Sequence, residues 1–325
     1  MWTVAVETRS IRNQETWLEW RKNFVTASRV GGLPAFDCHP YETPLRLYAT
    51  LRGVEFENDP DSPVLRRGRW LEPAVARAVS EMRPEWELEY PNVFLCDPEI
   101  GLGATPDYLI NGDPRGLGIL QIKTVAPHIW ARDWQNGEEI PLWIILQALT
   151  EAMLADATFA VVAAMLVDAF NMKVVMLDVP RHPPSERRII DETRRFMIDV
   201  NKGIEPDPDF ERDGAILKLL LPRETPGEII DLSENNEVPV LLQERAVLLA
   251  DINAMKARCE TICNRLKYIL GDAEMATGIN GFSMTFKTSK FKEYTVPAHE
   301  ARVLRIRDKR PPEERPVSEN DNESE

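Results

Sequence analysis

The pattern of apolar and polar positions predicts five strands and a buried helix in the middle of the chain. Short apolar runs bounded by turn formers are typical of strands, whereas longer runs with a repeat near 3.6 residues are typical of helices. The predicted strands cover 92–96, 103–110, 117–125, 158–167 and 172–179. The turn-rich sequence NGDPRG joins the second strand to the third and predicts a hairpin.

Helices are predicted on both sides of these strands. Residues 15–32 predict a helical turn, a loop and a second short helix, and 64–82 predict a helix that Pro73 must begin or kink. A buried helix is predicted over 142–155, and an amphipathic helix with a glycine stop over 184–203. This order of elements is typical of an α/β sandwich with a mixed sheet, not of a doubly wound dinucleotide-binding array.

The C-terminal third has a different character. Residues 204–237 are rich in Pro, Asp and Glu and predict a connecting segment, and 281–296 alternate like a hairpin. Between them, 238–270 predict a long amphipathic helix. One stripe of this helix is apolar and contains Leu241, Leu248, Ile252, Met255, Cys259, Ile262, Leu266 and Ile269.

Composition and charge restrict the function classes. The 325 residues are 43% hydrophobic and 28% charged, which is ordinary for a soluble globular protein. There is no apolar run near the roughly 18 residues that cross a bilayer, and no signal peptide is expected at the start. The net charge of −14 argues against a general nucleic-acid coat, although a local basic channel is compatible with it. The 4 cysteines do not form a disulfide framework and fit a reducing cytosol.

Three polar side chains interrupt the predicted hairpin. Asp107 follows a proline, and Gln121 and Lys123 lie two residues apart in the apolar run GILQIKTV. Because alternate side chains of a strand share a face, Gln121 and Lys123 point to the same side, where an antiparallel neighbour brings Asp107. We therefore expect two oxygen donors and an ammonium group to converge at a sheet edge.

These groups suit metal-assisted hydrolysis of a phosphodiester. Mg²⁺ prefers oxygen ligands, keeps several waters and polarises a phosphoryl oxygen. In this hypothesis Asp107 is the principal ligand of Mg²⁺ or Mn²⁺, and the Ile122 carbonyl and the Gln121 amide oxygen complete the protein's share. Lys123 positions or deprotonates the attacking water. On these residues alone, the competing interpretation is an edge strand with polar outer residues.

The same segment resembles the PD-(D/E)xK nuclease signature, and its neighbours resemble the lambda-exonuclease/YqaJ-like viral recombinase family. Five degenerate blocks occur in the family's order. They are WLEWRKNFVTASRVG (17–31), RRGRWLEPAVARAV (66–79), GATPDYL with GILQIKTV, WQNGEEIPLWIILQALTEAML (134–154) and NKGIEPDPDFERDGAILKLLLP (201–222). The resemblance implies a restriction-endonuclease-like α/β core with a mixed central sheet flanked by helices. The implied parts are a nuclease domain over 1–222, a linker over 223–237, a helix-plus-hairpin extension over 238–308 and a disordered acidic tail over 309–325.

The resemblance also implies roles for single residues. Asp107 matches the metal-binding aspartate, Lys123 the catalytic lysine, and Glu72 a helical glutamate near the metals. Gln121 departs from the family, which usually has glutamate there. An amide oxygen is able to ligate a metal but carries no charge, so we expect weaker metal affinity.

Three further residues match positions that contact DNA in the family. Arg21 and Ser28 match residues that grip the 5′-terminal phosphate, and Gln147 matches a helix glutamine that faces the active site.

The expected function is metal-dependent 5′-to-3′ exonuclease activity on linear double-stranded DNA during phage-type recombination, in the cytoplasm of a bacterial host. Direction, processivity, a ring-shaped trimer and a single-strand annealing partner are implied by the resemblance alone. Two alternatives remain open. One is a nuclease of the same fold with endonucleolytic activity, and the other is a non-catalytic DNA-end-binding recombination module, which Gln121 favours.

Overall fold

The computed structural model describes residues 5–54, 62–167, 171–278, 282–290, 302, 304–307 and 310–311. The chain divides into two compact units, residues 1–220 and 221–325. The first unit contains β1 (Glu7–Ser10), α1 (Gln14–Arg21), β2 (Val25–Thr26), a 3₁₀ helix (Ala27–Gly32), α2 (Pro44–Leu51), α3 (Pro63–Met82), β3 (Glu87–Glu89), β4 (Val93–Asp97), β5 (Leu102–Ala104), β6 (Tyr108–Asn111), β7 (Gly118–Val125), α4 (Pro127–Asp133), a 3₁₀ turn (Gln135–Gly137), α5 (Leu142–Leu154), β8 (Phe159–Val167), β9 (Met172–Pro180), α6 (Pro183–Lys202) and α7 (Gly214–Leu220).

The central sheet of the first unit has five strands in the order β3-β6-β7-β8-β9. Strands β6 and β7 form the predicted antiparallel hairpin, with Tyr108 opposite Leu120. Strand β8 runs parallel to β7, with Val162 opposite Gln121, and β9 returns antiparallel. Because a parallel pair needs a crossover, α5 connects β7 to β8. The mixed sheet flanked by helices confirms the predicted fold class.

The alternation along β7 distributes its side chains to two cores. Leu120 and Ile122 pack in a cluster with Val75 of α3. Ile119 faces the other side and packs in the largest cluster, which includes Ala148 of α5. Helices therefore cover both faces of the sheet, and the α5 face is the one toward which Gln121 and Lys123 point.

The strand predicted over 103–110 is wrong as a single strand. Strand β5 ends at Ala104 and belongs to a second sheet, of order β1-β4-β5-β2, whereas β6 begins at Tyr108 in the central sheet. Pro106 lacks an N–H donor and restricts the residue before it, so a hydrogen-bonded ladder does not continue through this point. The break places Asp107 at the junction of the two sheets.

Helix α3 has nearly the predicted range. It begins at Pro63, where Ser62 accepts a hydrogen bond from the Leu65 backbone, so Pro73 lies inside the helix, which leaves only the second of its two predicted positions. Helix α7 forms within the segment predicted to be a connection. The predicted glycine stop of α6 is confirmed, because Gly203 adopts the left-handed conformation with φ of 72°.

The second unit contains α8 (Glu237–Leu270), as predicted, and two short antiparallel strands, β10 (Met275–Ala276) and β11 (Met284–Thr285). The hairpin was expected over 281–296, but β11 pairs with a strand that precedes this segment, and 291–296 lie outside the described residues. Most of the acidic tail predicted to be disordered also lies outside them. Within the described part of the chain, none of the helices combines the length and apolarity that crossing a membrane requires.

Candidate active site

The carboxylate of Asp107 is held at the end of the hairpin by two donors from β7. Its Oδ2 accepts a hydrogen bond from the backbone N–H of Ile122 at 2.8 Å and another from Nε2 of Gln121 at 2.5 Å. The structure thus brings Asp107 into direct contact with the strand that carries Lys123. This contact depends on the interruption of the strand at Pro106. Because β5 does not continue through this point, the chain turns and Asp107 faces β7.

A hydrogen-bonded line of amides connects Asp107 to Lys123. Oε1 of Gln121 accepts from Nε2 of Gln147 at 2.8 Å, and Oε1 of Gln147 accepts from Nζ of Lys123 at 2.8 Å. Gln147 also donates to Oε1 of Glu151 at 2.9 Å. The carbonyl oxygen of Gln121 is therefore directed at α5, and its amino group is directed at Asp107.

Helix α5 supplies this line because Gln147 and Glu151 lie four residues apart and share a helix face. Both side chains are buried, with relative exposures of 6% and 1%, and Gln121 is exposed by only 2%. Buried polar groups need hydrogen-bond partners, and these three side chains on facing elements supply partners to one another, except at Oε2 of Glu151.

The charges of Glu72, Asp107 and Lys123 influence one another's pKa values. Burial and the charge of Asp107 together raise the pKa of Glu72 on α3 to about 7, although the charge of Lys123 opposes the shift. Burial also raises the pKa of Asp107, although Lys123 and the two hydrogen-bond donors oppose it. Burial lowers the pKa of Lys123 against the influence of the surrounding carboxylates. Glu72 therefore lies close enough to sense both Asp107 and Lys123.

Glu151 is a site residue that the sequence analysis missed. Burial raises its pKa to about 8, and the charge of Asp107 contributes to the shift. Its Oε2 has no hydrogen-bond partner among the residues that the structure describes. Its spacing of four from Gln147 was the available signal, but exposed glutamates show this spacing too.

Arg21 and Ser28, which the resemblance predicts to bind a 5′-terminal phosphate, lie in contact with each other. Nη2 of Arg21 lies 3.4 Å from Oγ of Ser28, and the guanidinium lies 4.5 Å from the ring centroid of Trp17. The Trp17 indole donates to Oγ1 of Thr105 at 2.9 Å, which ties α1 to the segment just before Asp107.

A second arginine accompanies Arg21. Burial and the charge of Arg29 lower the pKa of Arg21 to about 10, so the Arg21 guanidinium remains cationic at neutral pH. Arg29 forms a 3.1 Å ion pair with buried Glu42. His39 lies near Arg29 and Lys123, and burial together with these two cations lowers its pKa to about 4. The sequence analysis missed Arg29 and His39. Two neighbouring cations are a suitable receptor for a phosphate.

The donor set fits a weakly held, well-hydrated Mg²⁺ or Mn²⁺. Mg²⁺ commonly takes one or two protein carboxylates and completes its shell with waters and substrate phosphates. Asp107 and Glu72 supply two carboxylates whose repulsion a cation would relieve, and Ile122 supplies a backbone carbonyl. Across the described ranges, no group of three or more His, Cys, Asp or Glu residues is arranged to hold a metal ion.

Comparisons with known proteins found one matching family model and several similar solved structures. Residues 16–158 match the family model of the YqaJ-like viral recombinase domain. No curated protein matches the chain. Among solved structures, an alkaline exonuclease from Laribacter hongkongensis is 20% identical, with 63% of this chain and 100% of that chain covered and a TM-score of 0.45. A phage-related exonuclease from Haemophilus somnus is 12% identical, with 56% and 96% covered and a TM-score of 0.35. The protein of a SOX–DNA complex is 8% identical, with 62% and 71% covered and a TM-score of 0.37.

Proposed function

Because residues 16–158 belong to the family of YqaJ-like viral recombinase domains, we propose that this chain is a metal-dependent 5′-to-3′ exonuclease of linear double-stranded DNA. The observation that carries the proposal is the hydrogen-bonded cluster in which Asp107 accepts from Gln121 and Lys123 is linked to Gln121 through Gln147. Glu72 lies close enough to this cluster for the charges of Asp107 and Lys123 to act on its pKa. The single strands that the exonuclease exposes would serve a single-strand annealing protein during phage-type recombination in the host cytoplasm.

Each residue of this cluster has a chemical role in the proposal. Mg²⁺ or Mn²⁺ would be held by Asp107, Glu72 and the Ile122 carbonyl. The side-chain oxygen of Gln121 would be a further ligand if the amide group rotates by 180°, since its amino group now faces Asp107. A bound divalent ion polarises the scissile phosphoryl oxygen and acidifies a water. Burial lowers the pKa of Lys123, so its amine is suited to orient or deprotonate the attacking water.

The group formed by Arg21, Ser28 and Arg29 supports action from a DNA end. Arg21 and Ser28 would bind the 5′-terminal phosphate, and Arg29 adds a second positive charge. A phosphate bound there would fix the orientation in which the terminal nucleotide enters the site. The same contact would therefore account for both a preference for 5′-phosphorylated ends and the direction of digestion. The ring-shaped trimer of the family would keep the duplex engaged between cleavage steps.

Gln121 favours a second candidate, a weakly catalytic or non-catalytic module that binds DNA ends. Its amino group donates to Asp107 where a glutamate would add negative charge. Two unit charges about 4 Å apart interact by about 4 kcal/mol at an effective dielectric near 20, so loss of one carboxylate weakens the hold on a cation substantially.

Digestion of end-labelled duplex across a titration of Mg²⁺ or Mn²⁺ tests the leading proposal. Wild type should release label from 5′-phosphorylated ends, and Lys123→Ala should reduce the rate about 100-fold or more. Lys173→Ala, at an exposed position of β9, is the matched control and should behave like wild type. Equal digestion by wild type and Lys123→Ala would refute the role of Lys123. Digestion of covalently closed circles would replace the exonuclease by an endonuclease.

The variant Gln121→Glu separates the two candidates. If wild type and Lys123→Ala are equally inert but bind 5′-phosphorylated duplex, and Gln121→Glu digests it, the natural protein is an end-binding module. If Gln121→Glu only lowers the metal concentration needed for half-maximal rate, the natural protein is a nuclease with weak metal affinity.

A further inference from the structure

Helix α8 carries the repeat of a coiled-coil seam. Its apolar positions recur at alternating intervals of four and three residues from Leu248 to Ile269, and Leu241 continues the repeat one heptad earlier. The seam consists of Leu241, Leu248, Ile252, Met255, Cys259, Ile262, Leu266 and Ile269. A mean repeat of 3.5 residues over about four heptads is typical of helices that pair along their length, whereas a helix packed on a globular core has a broader stripe.

The seam is exposed, while another face of α8 is partly covered. Among the described residues, no side chain of α8 is buried, and the seam includes Met255 at 59% exposure and Ile269 at 67%. On a different face, Gln243 accepts a 2.6 Å hydrogen bond from Arg310. The half-buried positions on that side of the helix are Ala246, Val247, Ala250 and Ala254.

We propose that α8 pairs with α8 of a second copy of this chain in an antiparallel coiled coil. The argument for a second copy is charge complementarity beside the seam. Glu244 and Asp251 flank the first half of the seam, and Arg258 and Arg265 occupy the equivalent heptad positions in the second half. In an antiparallel pair, Glu244 faces Arg265 of the second copy and Asp251 faces Arg258, and symmetry forms each contact twice.

The same register aligns the apolar layers. Ile252 lies opposite Met255 of the second copy, Leu248 opposite Cys259, and Leu241 opposite Leu266. A parallel pair has poorer contacts, because Arg245 would face its own copy across the seam and Glu244 would face an apolar neighbour. The inference is independent of catalysis, and it implies that at least two nuclease units are joined in one particle.

Cross-linking of the full-length chain tests the register. In a background that carries Cys38→Ala and Cys263→Ala, Leu248→Cys should join to native Cys259 of a second copy through a short bismaleimide and give a dimer band. The matched control Asn253→Cys points away from the seam and should give none. Absence of a dimer band with Leu248→Cys would overturn the proposal. So would a dimer band in the background itself, because Cys259 faces its own copy only in a parallel pair.

Sedimentation of the full-length chain tests the assembly. The mass of the wild-type particle should correspond to an even number of copies. This also holds if the nuclease units form trimers, because α8 would then join two trimers. Ile252→Asp should halve the mass, whereas the control Asn253→Asp should leave it unchanged. Glu244→Arg should weaken association about tenfold or more, and the added change Arg265→Glu should restore it. Circular dichroism verifies that exposed Ile252 is replaced without loss of helix. A monomeric wild type, or a mass unchanged by Ile252→Asp, would refute the pairing.

Discussion

Replacement of Glu151 by glutamine should stabilise the first unit at alkaline pH but not at acidic pH. Glu151 is 1% exposed, and burial raises its pKa from 4.5 to about 8. The side chain therefore keeps its proton in the folded state under conditions in which the unfolded chain releases it. Glutamine resembles the protonated carboxyl group in shape and retains an oxygen that accepts from Gln147.

The sign and size follow from proton linkage. Between pH 4.5 and about 8 the folded state binds more protons at this site, so wild-type stability falls as the pH rises. Each pKa unit corresponds to 1.36 kcal/mol, which makes the full effect about 5 kcal/mol if Glu151 titrates alone. Since Lys123 and Asp107 share the titration, about 2–5 kcal/mol is expected. The advantage of Glu151→Gln should be near zero at pH 4 and complete above pH 8.

Urea denaturation at pH 5 and pH 9, with EDTA to remove divalent ions, measures this difference. All 8 tryptophans lie at or before residue 143, so their fluorescence follows the first unit. Glu192→Gln on α6, where the glutamate forms an ion pair with exposed Arg195, is the matched control for removal of one carboxylate outside the site. A stability difference between wild type and Glu151→Gln that is the same at both pH values would refute the reasoning.

Three further outcomes are expected. Arg21→Ala should raise the KM for 5′-phosphorylated duplex about tenfold or more and leave 5′-hydroxyl duplex nearly unchanged; equal effects on both would contradict a phosphate contact. Gly103→Ala should destabilise by about 1–3 kcal/mol in a urea titration, because the new Cβ would lie 2.4 Å from the ring of buried Phe94, whereas Gly214→Ala meets nothing within 4 Å and serves as control. His39→Asn should leave the pH–rate profile between pH 5 and 8 unchanged in shape, since the pKa of His39 near 4 keeps it neutral there.

The local patterns were sufficient to predict the hairpin and the facing of its side chains. The alternation of Gln121 and Lys123 with Leu120 and Ile122 indicates that the two polar side chains share a face, and the structure places all four accordingly. This succeeded because strand geometry determines the facing of alternate side chains whatever packs around them. The pattern of the sequence did not predict the contact between Arg21 and Ser28. These residues lie on two different helices, α1 and the 3₁₀ helix, and only the fold of the chain between the two helices brings them together.

Packing between distant segments decided the rest. Glu151 and His39 acquire their shifted pKa values because burial removes water and brings charges from other elements near them, and spacing along the chain reports neither. Likewise Pro106 signals a break, but only the assembled sheets show that the chain changes sheets there and aims Asp107 at β7. The sequence by itself determined helices α3, α5, α6 and α8, the hairpin, the facing of β7 and the heptad repeat of α8, because these depend on interactions between near neighbours. Tertiary structure determined which charges meet, because that depends on contacts between residues far apart in the chain.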